Sequence, residues 1–243
     1  MIEFNIKLAE IPLRVCAFYE GTREFCREYL TNEPAGTELR MTRAEIEQTR
    51  RDSRACDIRE GRSPVEHTDE YLETVALLRL AAAALLPKGV LLFHGVAVAL
   101  NGCAYLFTAK SGTGKTTHAR LWLKNIPGAY ILNGDKPLLR FGDDEVCVCG
   151  TPWQGKEDYG RNKTLPLAGI CLLERDSCNH IEQIPYKTAF EALAFQSHRP
   201  AQNSDMVAYL KLLGQLAAVP IYRLGCNMED EAAQTACREL VRP

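Results

Sequence analysis

The chain has 243 residues, enough for one large domain or two smaller ones whose cores need no disulfide or metal. Its composition is 46% hydrophobic and 25% charged, and the formal net charge of -2 offers no basic surface of the kind that nucleic acid requires. The longest apolar stretch falls short of the roughly 20 residues that span a bilayer, and the N-terminus lacks a secretory signal. We therefore expect a cytoplasmic protein without a nucleic-acid or membrane partner.

The first third of the chain predicts a small α+β domain that ends at about residue 86. Two extended runs, 3–8 and 13–19, are separated by a proline-containing turn, which favours a β-hairpin. A helix is expected at 21–30, and the polar stretch after it could form a helix or a strand. Clear periodicity returns at Thr68, which can cap a largely buried helix that runs to Leu86.

The remainder of the chain alternates strands and helices, as is typical of an α/β domain. Two β-rich runs, 90–100 and 104–108, are joined by the turn dipeptide Asn101-Gly102, and the second run leads into a glycine-rich loop that is followed by a helix. The predicted elements after the turn are a strand at 104–108, a helix at 116–124, strands at 130–132, 138–141, 146–149 and 167–173, helices at 188–195 and 204–218, a strand at 221–224 and a helix at 229–241.

The glycine-rich loop contains the clearest chemical motif. The run from Ala109 to Thr116 satisfies the P-loop pattern, except that alanine replaces the usual first glycine. Such glycines let successive N–H groups point into one concavity at a helix N-terminus, where they bind phosphate oxygens. We expect Lys115 to contact the β- and γ-phosphates of ATP and the Thr116 hydroxyl to ligate Mg²⁺. The predicted cofactor-binding residues are Ser111, Gly112, Thr113, Gly114, Lys115, Thr116 and Thr117.

Three further motifs flank this loop. They are His94-Gly95-Val96 before it, and Asp135-Lys136-Pro137 and Thr151-Pro152-Trp153-Gln154-Gly155-Lys156 after it. Together with the loop, they resemble the HPr kinase and phosphoenolpyruvate carboxykinase group over about residues 90–240, and most closely the small HPr-kinase-related proteins. The resemblance implies an α/β fold with a P-loop kinase core at residues 87–243 and a smaller N-terminal α+β domain at 1–86.

The resemblance also implies roles for residues outside the loop. In that group an acidic pair follows the second core strand, one member helping to hold Mg²⁺ and the other acting near the acceptor hydroxyl. This chain has Gly134 and Asp135 there, so one carboxylate remains. We expect Asp135 to bind the metal together with Thr116, since Mg²⁺ prefers oxygen ligands. His94 matches the group's histidine, and the near-neutral intrinsic pKa of a histidine is suited to proton transfer or to contacting phosphate.

The polar loop at 151–163 is expected to supply positive charge to the same site. Phosphoryl transfer needs cations against the charge of the moving phosphoryl group. Lys156 and Arg161 are the candidates, ahead of Lys163, and a solvated surface loop is the alternative explanation for all three.

The sequence thus predicts a kinase that moves the γ-phosphoryl group of Mg²⁺-bound ATP to a hydroxyl acceptor. The predicted catalytic residues are His94, Lys115, Asp135, Lys156 and Arg161. The acceptor is a protein, a peptide or a small molecule, and the residues do not choose among these classes. Carboxykinase chemistry on a keto acid is a weak further hypothesis, because those enzymes resemble this chain mainly in the loop.

A different interpretation is a nucleotide-binding regulator, or degenerate kinase, that transfers nothing. Gly134 favours this alternative, because it removes the usual candidate for the general base. A second carboxylate near the γ-phosphate, from Glu157 or Asp158, would favour the enzyme instead.

Overall fold

The computed structural model describes residues 1–155, 157 and 159–241. Lys156, predicted as an active-site cation, lies outside the described residues, as does Asp158. Within the described residues, no helix is both long and apolar enough to cross a bilayer.

The chain divides into two compact units, Met1–Leu85 and Leu86–Pro243. In the first unit, all of which the structure describes, the predicted hairpin is confirmed, and a third strand pairs in parallel with the second strand of that hairpin. The polar stretch for which the sequence allowed either a helix or a strand forms a helix. Thr42 caps this helix, and its Oγ1 accepts a hydrogen bond from the Glu45 N–H at 3.2 Å. The elements of this unit are β1 (Ile2–Leu8), β2 (Ile11–Ala17), α1 (Glu20–Phe25), β3 (Glu38–Arg40), α2 (Arg43–Arg59) and α3 (Asp69–Leu85).

The second unit is mixed α/β and contains the predicted glycine-rich loop. Its elements are β4 (Val90–Leu92), β5 (Val96–Leu100), β6 (Cys103–Thr108), α4 (Lys115–Asn125), β7 (Tyr130–Asn133), β8 (Leu138–Phe141), β9 (Val146–Cys149), β10 (Thr164–Arg175), β11 (His180–Gln183), α5 (Tyr186–Gln196), α6 (Met206–Gln215), β12 (Ile221–Cys226) and α7 (Glu231–Leu240).

The sheet of this unit has the order β4-β8-β9-β10-β6-β5-β7, and β12 and β11 extend it beside β10. The long strand β10 connects its two parts. Residues Thr164 to Pro166 pair with β9 in antiparallel fashion, whereas the residues after them pair in parallel with β6 and β12. The strand that leads into the glycine-rich loop, β6, is therefore held between the parallel β10 and the antiparallel β5.

Helices cover both faces of the sheet around β6. Leu106 packs with Leu193 of α5 and Leu213 of α6 in one core, whereas its neighbour Phe107 packs with Trp122 of α4 in the other. Side chains alternate across a strand, so a strand buried on both faces is apolar through its interior, as β6 is from Ala104 to Phe107. Burial on both faces fixes the position at which the glycine-rich loop begins.

Two features of this unit differ from the sequence expectation. The apolar run at 90–100 is not one strand, because the backbone N–H groups of Phe93, His94 and Gly95 donate to Pro137, Gln196 and Asp135 instead of to a neighbouring strand. β11 was not predicted. It pairs with β12 and has no buried residue, so it lacks the apolar alternation by which strands are recognised.

Candidate nucleotide-binding site

The glycine-rich loop joins β6 to α4, which begins at Lys115 with Gly114 as its N-cap. Gly112 has a φ of 78° and Gly114 a φ of 126°, in the region that glycine adopts without the strain other residues incur. No described atom lies within 4 Å of the place where a Cβ of either residue would be. These two glycines are therefore required by the backbone conformation and not by close packing.

Lys115 folds back across this loop from the first turn of α4. Its Nζ donates to the carbonyl oxygen of Ala109 at 2.9 Å and approaches that of Lys110 at 3.4 Å. Burial lowers the pKa of Lys115, while the charge of Asp135 acts in the opposite direction. The ammonium group thus lies against the loop, where a P-loop lysine is required.

Asp135 lies just beyond β7 and next to His94. The distance from His94 Nε2 to Asp135 Oδ1 is 3.3 Å, and Lys136 Nζ lies 3.8 Å from the same oxygen. Burial alone would raise the pKa of Asp135, but the hydrogen bond from His94 and the nearby charge of Lys136 hold that pKa below its ordinary value. Asp135 is therefore a carboxylate at neutral pH, which is the form that binds a metal ion.

A buried polar network holds the turn that contains Asp135. The side-chain oxygen of Asn133 accepts hydrogen bonds from the N–H groups of Asp135 at 3.0 Å and Lys136 at 2.8 Å. The amide nitrogen of Asn133 donates to the carbonyl oxygen and Oγ1 of Thr151, and Thr151 Oγ1 donates to the carbonyl of Lys136. Both Asn133 and Thr151 are fully buried. The network thus joins the turn at 133–136 to the segment that begins at Thr151.

Gly134 lies where this segment crosses the turn. A Cβ at residue 134 would overlap the carbonyl oxygen of Gln154. The position at which the resembling group has its first acidic residue is therefore closed to any side chain in this backbone. The glycine is a consequence of the close approach of the segment.

The loop, the Asp135 turn and the segment after Thr151 surround a cleft of about 510 Å³, which we call the inner cleft. It brings together most of the predicted site residues. From the sequence predictions, its lining contains His94, Ser111, Gly112, Gly114, Lys115, Thr116, Thr117 and Asp135.

Glu157 also lines the inner cleft, so a second carboxylate is present despite Gly134. Its Oε2 accepts a hydrogen bond from Arg120 Nε of α4 at 2.9 Å. The carboxylate of Glu157 is therefore bound to a cation in this conformation.

Three other predicted residues lie outside the lining of the inner cleft. Arg161 does not line the inner cleft, because its guanidinium group lies over the ring of Tyr130, 5.1 Å from the ring centre. The ammonium group of Lys163 lies over the same ring at 5.4 Å. Thr113 lines a second cleft on the other side of the glycine-rich loop.

This second cleft, the outer cleft, has a volume of about 910 Å³. One wall is the glycine-rich loop from Thr108 to Thr113, and the others are the end of β10 and one side of α5. Ser111 and Gly112 line both clefts. Phe195 of α5 lines the outer cleft with 73% of its surface exposed.

Sequence reasoning missed the residues that hold this site in place. Asn133 follows a buried strand and precedes Gly134-Asp135, a position at which asparagine commonly bonds to the backbone ahead of it, so a signal was available. Thr151 begins one of the motifs, but its contact with Asn133 had no comparable signal, because the two residues lie in separate segments. The same holds for Arg175, whose guanidinium group bonds to the carbonyl oxygens of Gly112 and Thr113 in the glycine-rich loop.

No protein-family model matches the chain, and no curated protein matches its sequence. Among solved structures, the chain is similar to the Hpr(Ser) kinase/phosphatase from Coxiella burnetii, with 7% identity and a TM-score of 0.37. The similarity covers 61% of this chain and 97% of that protein. This is a distant likeness in fold, at a level that carries no information about activity.

Proposed function

We propose that the chain is an ATP- and Mg²⁺-dependent phosphotransferase that moves the γ-phosphoryl group to a hydroxyl acceptor. The observation that supports this most strongly is the inner cleft, in which the glycine-rich loop and Lys115 face Asp135 and His94. A phosphate-binding loop, a metal-binding carboxylate and a group able to accept a proton are the parts that such a reaction needs. The catalytic domain would begin at about residue 87.

In this proposal the loop and Lys115 bind the β- and γ-phosphates. Thr116 and Asp135 hold the metal, and they fit Mg²⁺ because both offer oxygen ligands to the inner cleft and the pKa of Asp135 is lowered. Mg²⁺, when bound, neutralises charge on the phosphates. The side chains of Lys115 and Lys136 add further positive charge against that of the phosphates.

His94 would accept the proton of the acceptor hydroxyl. A neutral imidazole that donates its Nε2 hydrogen to Asp135 has its lone pair at Nδ1. In the reaction the acceptor oxygen forms a bond to the γ-phosphorus, the bond from that phosphorus to the bridging oxygen of ADP breaks, and Nδ1 takes the hydroxyl proton. The carboxylate of Asp135 then stabilises the imidazolium ion.

A second candidate function is a nucleotide-binding regulator that transfers nothing. It is favoured by the closed position at Gly134, which reduces the number of groups that can act as a base after β7. Glu157, a second carboxylate in the lining of the inner cleft, favours the enzyme instead, although its pairing with Arg120 occupies it in this conformation. Nucleotide binding is common to both candidates, and only transfer separates them.

The test is transfer of label from γ-labelled ATP, with Mg²⁺, into an extract of the source cells resolved into small molecules, peptides and proteins. We expect one labelled class for the parent protein and none for Lys115→Ala. The matched control is Lys124→Ala, which removes an exposed lysine of the same helix that pairs with Asp230 at 2.7 Å and should label as the parent does. Nucleotide binding without any transfer would establish the regulator, and a Lys115→Ala protein that labels normally would contradict both candidates.

A further inference from the structure

Arg175, the last residue of β10, bonds to the glycine-rich loop from outside it. Its Nε donates to the carbonyl oxygen of Thr113 at 3.1 Å, and its Nη2 donates to that of Gly112 at 2.5 Å. The planar guanidinium group thus binds two consecutive carbonyl groups of the loop.

The strand pairing explains why Arg175 reaches these atoms. Leu172 of β10 lies opposite Thr108, the last residue of β6, so Arg175 extends three residues beyond the point at which the loop begins. Because β10 continues to pair with β12 as far as Arg175, opposite Cys226, its backbone is fixed there. The side chain is exposed, but it extends from an ordered strand.

Two cationic side chains bind different carbonyl groups of the loop. Lys115 binds those of Ala109 and Lys110, and Arg175 binds those of Gly112 and Thr113. An anionic ligand is repelled by carbonyl oxygens and attracted by N–H groups. Holding four carbonyl groups with cations therefore suits the loop to an anion.

The bond to Thr113 also sets the direction of a donor. The chain has no cis peptide bond among its described residues, so the carbonyl of Thr113 and the N–H of Gly114 point in opposite directions. While Arg175 holds that carbonyl, the N–H of Gly114 points away from Arg175. Gly112 and Gly114 are free of close contacts, so without such a bond their peptide planes could rotate.

We propose that Arg175 is a positioning residue that holds the glycine-rich loop in its phosphate-binding conformation before the nucleotide arrives. The proposal rests on the proposed function only in that the loop binds nucleotide phosphates, and phosphoryl transfer is not required. The fork of the guanidinium group, and not its charge alone, performs this role.

The test compares Arg175→Met and Arg175→Lys with the parent protein by calorimetric titration with MgATP and with MgADP. We expect Arg175→Met to weaken both ligands by a similar factor, about tenfold, because one charge-assisted pair of hydrogen bonds is lost from the loop. Arg175→Lys retains the charge but not the fork, and should recover only part of the affinity. The control, Arg238→Met, removes an exposed arginine of α7 that bonds to Thr235, and should bind as the parent does.

A second readout is hydrogen exchange of loop amides in the protein without nucleotide. We expect faster exchange at residues 110–115 in Arg175→Met, with the melting temperature unchanged. Unchanged affinity, full recovery in Arg175→Lys, or a loss confined to ATP would each overturn the proposal, the last because it would indicate direct contact with the γ-phosphate. A parent protein that binds neither nucleotide would instead contradict the proposed function.

Discussion

At the scale of single residues, Gly134 decides how many carboxylates follow β7 in the inner cleft. In the resembling group the position is acidic, and in this chain the carbonyl oxygen of Gln154 occupies the space that a side chain would need. The steric conflict involves one pair of atoms, a Cβ at residue 134 and the Gln154 oxygen, yet it changes the chemistry available after β7. With one carboxylate after β7, the proposed function gives metal binding and proton transfer to different residues, Asp135 and His94.

This steric conflict predicts that an acidic residue at position 134 lowers the stability of the protein. Gly134→Ala should lower the free energy of unfolding of its unit by about 1–3 kcal/mol, because the added Cβ is pressed against backbone. Gly134→Asp should destabilise at least as much and should not increase phosphoryl transfer. Denaturant unfolding and the labelling assay measure the two effects.

A matched control for this prediction is available in α6. Gly214 is helical and exposed, with no described atom near its Cβ position. Gly214→Ala should therefore stabilise by about 0.5–1 kcal/mol. A Gly134→Asp protein that is as stable as the parent and transfers faster would show that the segment after Thr151 moves aside easily.

At the scale of elements, the site depends on the contact between the turn after β7 and the segment that starts at Thr151. Neither segment has regular structure through Gly155, so the hydrogen bonds of Asn133 and Thr151 take the place of a sheet ladder. Such buried groups are costly when only one partner is removed. The turn that presents Asp135 is accordingly held by these side chains and by single backbone hydrogen bonds, such as that from the Lys136 N–H to the Trp153 carbonyl at 3.2 Å, and not by a continuous strand ladder.

Thr151→Val tests this contact, because valine keeps the shape and removes the hydroxyl. Loss of the hydroxyl leaves the carbonyl of Lys136 without this donor and Asn133 without one acceptor, which should cost about 1–3 kcal/mol of stability. It should also lower the affinity for Mg²⁺ in nucleotide binding by about tenfold, because Asp135 is less well oriented. Titration of nucleotide binding against Mg²⁺ measures this.

Thr151→Ser is the matched variant, since it restores the hydroxyl and should restore the Mg²⁺ affinity. If Thr151→Val lowers stability but leaves the Mg²⁺ dependence unchanged, the network supports the fold and does not position Asp135.

At the scale of the whole molecule, a buried imidazole links stability to pH. His118 of α4 is 2% exposed, and its Nε2 accepts a hydrogen bond from Trp122 Nε1 at 3.0 Å. Burial lowers the pKa of His118 from 6.5 to about 4. The unfolded chain therefore binds a proton at a higher pH than the folded chain does.

The sign of this linkage predicts acid sensitivity. The contribution of His118 to stability is full above about pH 6.5 and is lost as the pH decreases toward about 4, by roughly 3 kcal/mol over the whole window. In His118→Gln, which cannot titrate, the fall in the free energy of unfolding across that window should be smaller by about this amount, and the part that remains comes from carboxylates whose pKa is lowered, such as Asp135. Denaturant unfolding at a series of pH values checks both proteins, and parallel curves would exclude His118 as the cause.

The sequence by itself determined the local elements and the loop. The hairpin at the N-terminus, the strand and helix on either side of the glycine-rich loop, and the strands of the sheet with apolar alternation follow from patterns within a few residues. His94, Lys115 and Asp135 were predicted as site residues because each lies in a short motif, and all three line the inner cleft. β11 escaped because an exposed edge strand has no such pattern.

Only the tertiary structure decided which residues meet. Asn133 with Thr151, Gly134 with Gln154, and Arg175 with the glycine-rich loop are contacts between segments that are far apart in the chain. Arg161 was predicted from its charge, and the structure places it over Tyr130. The physical reason is that propensity and periodicity act between near neighbours, whereas the orientation of a catalytic group depends on the packing of distant segments.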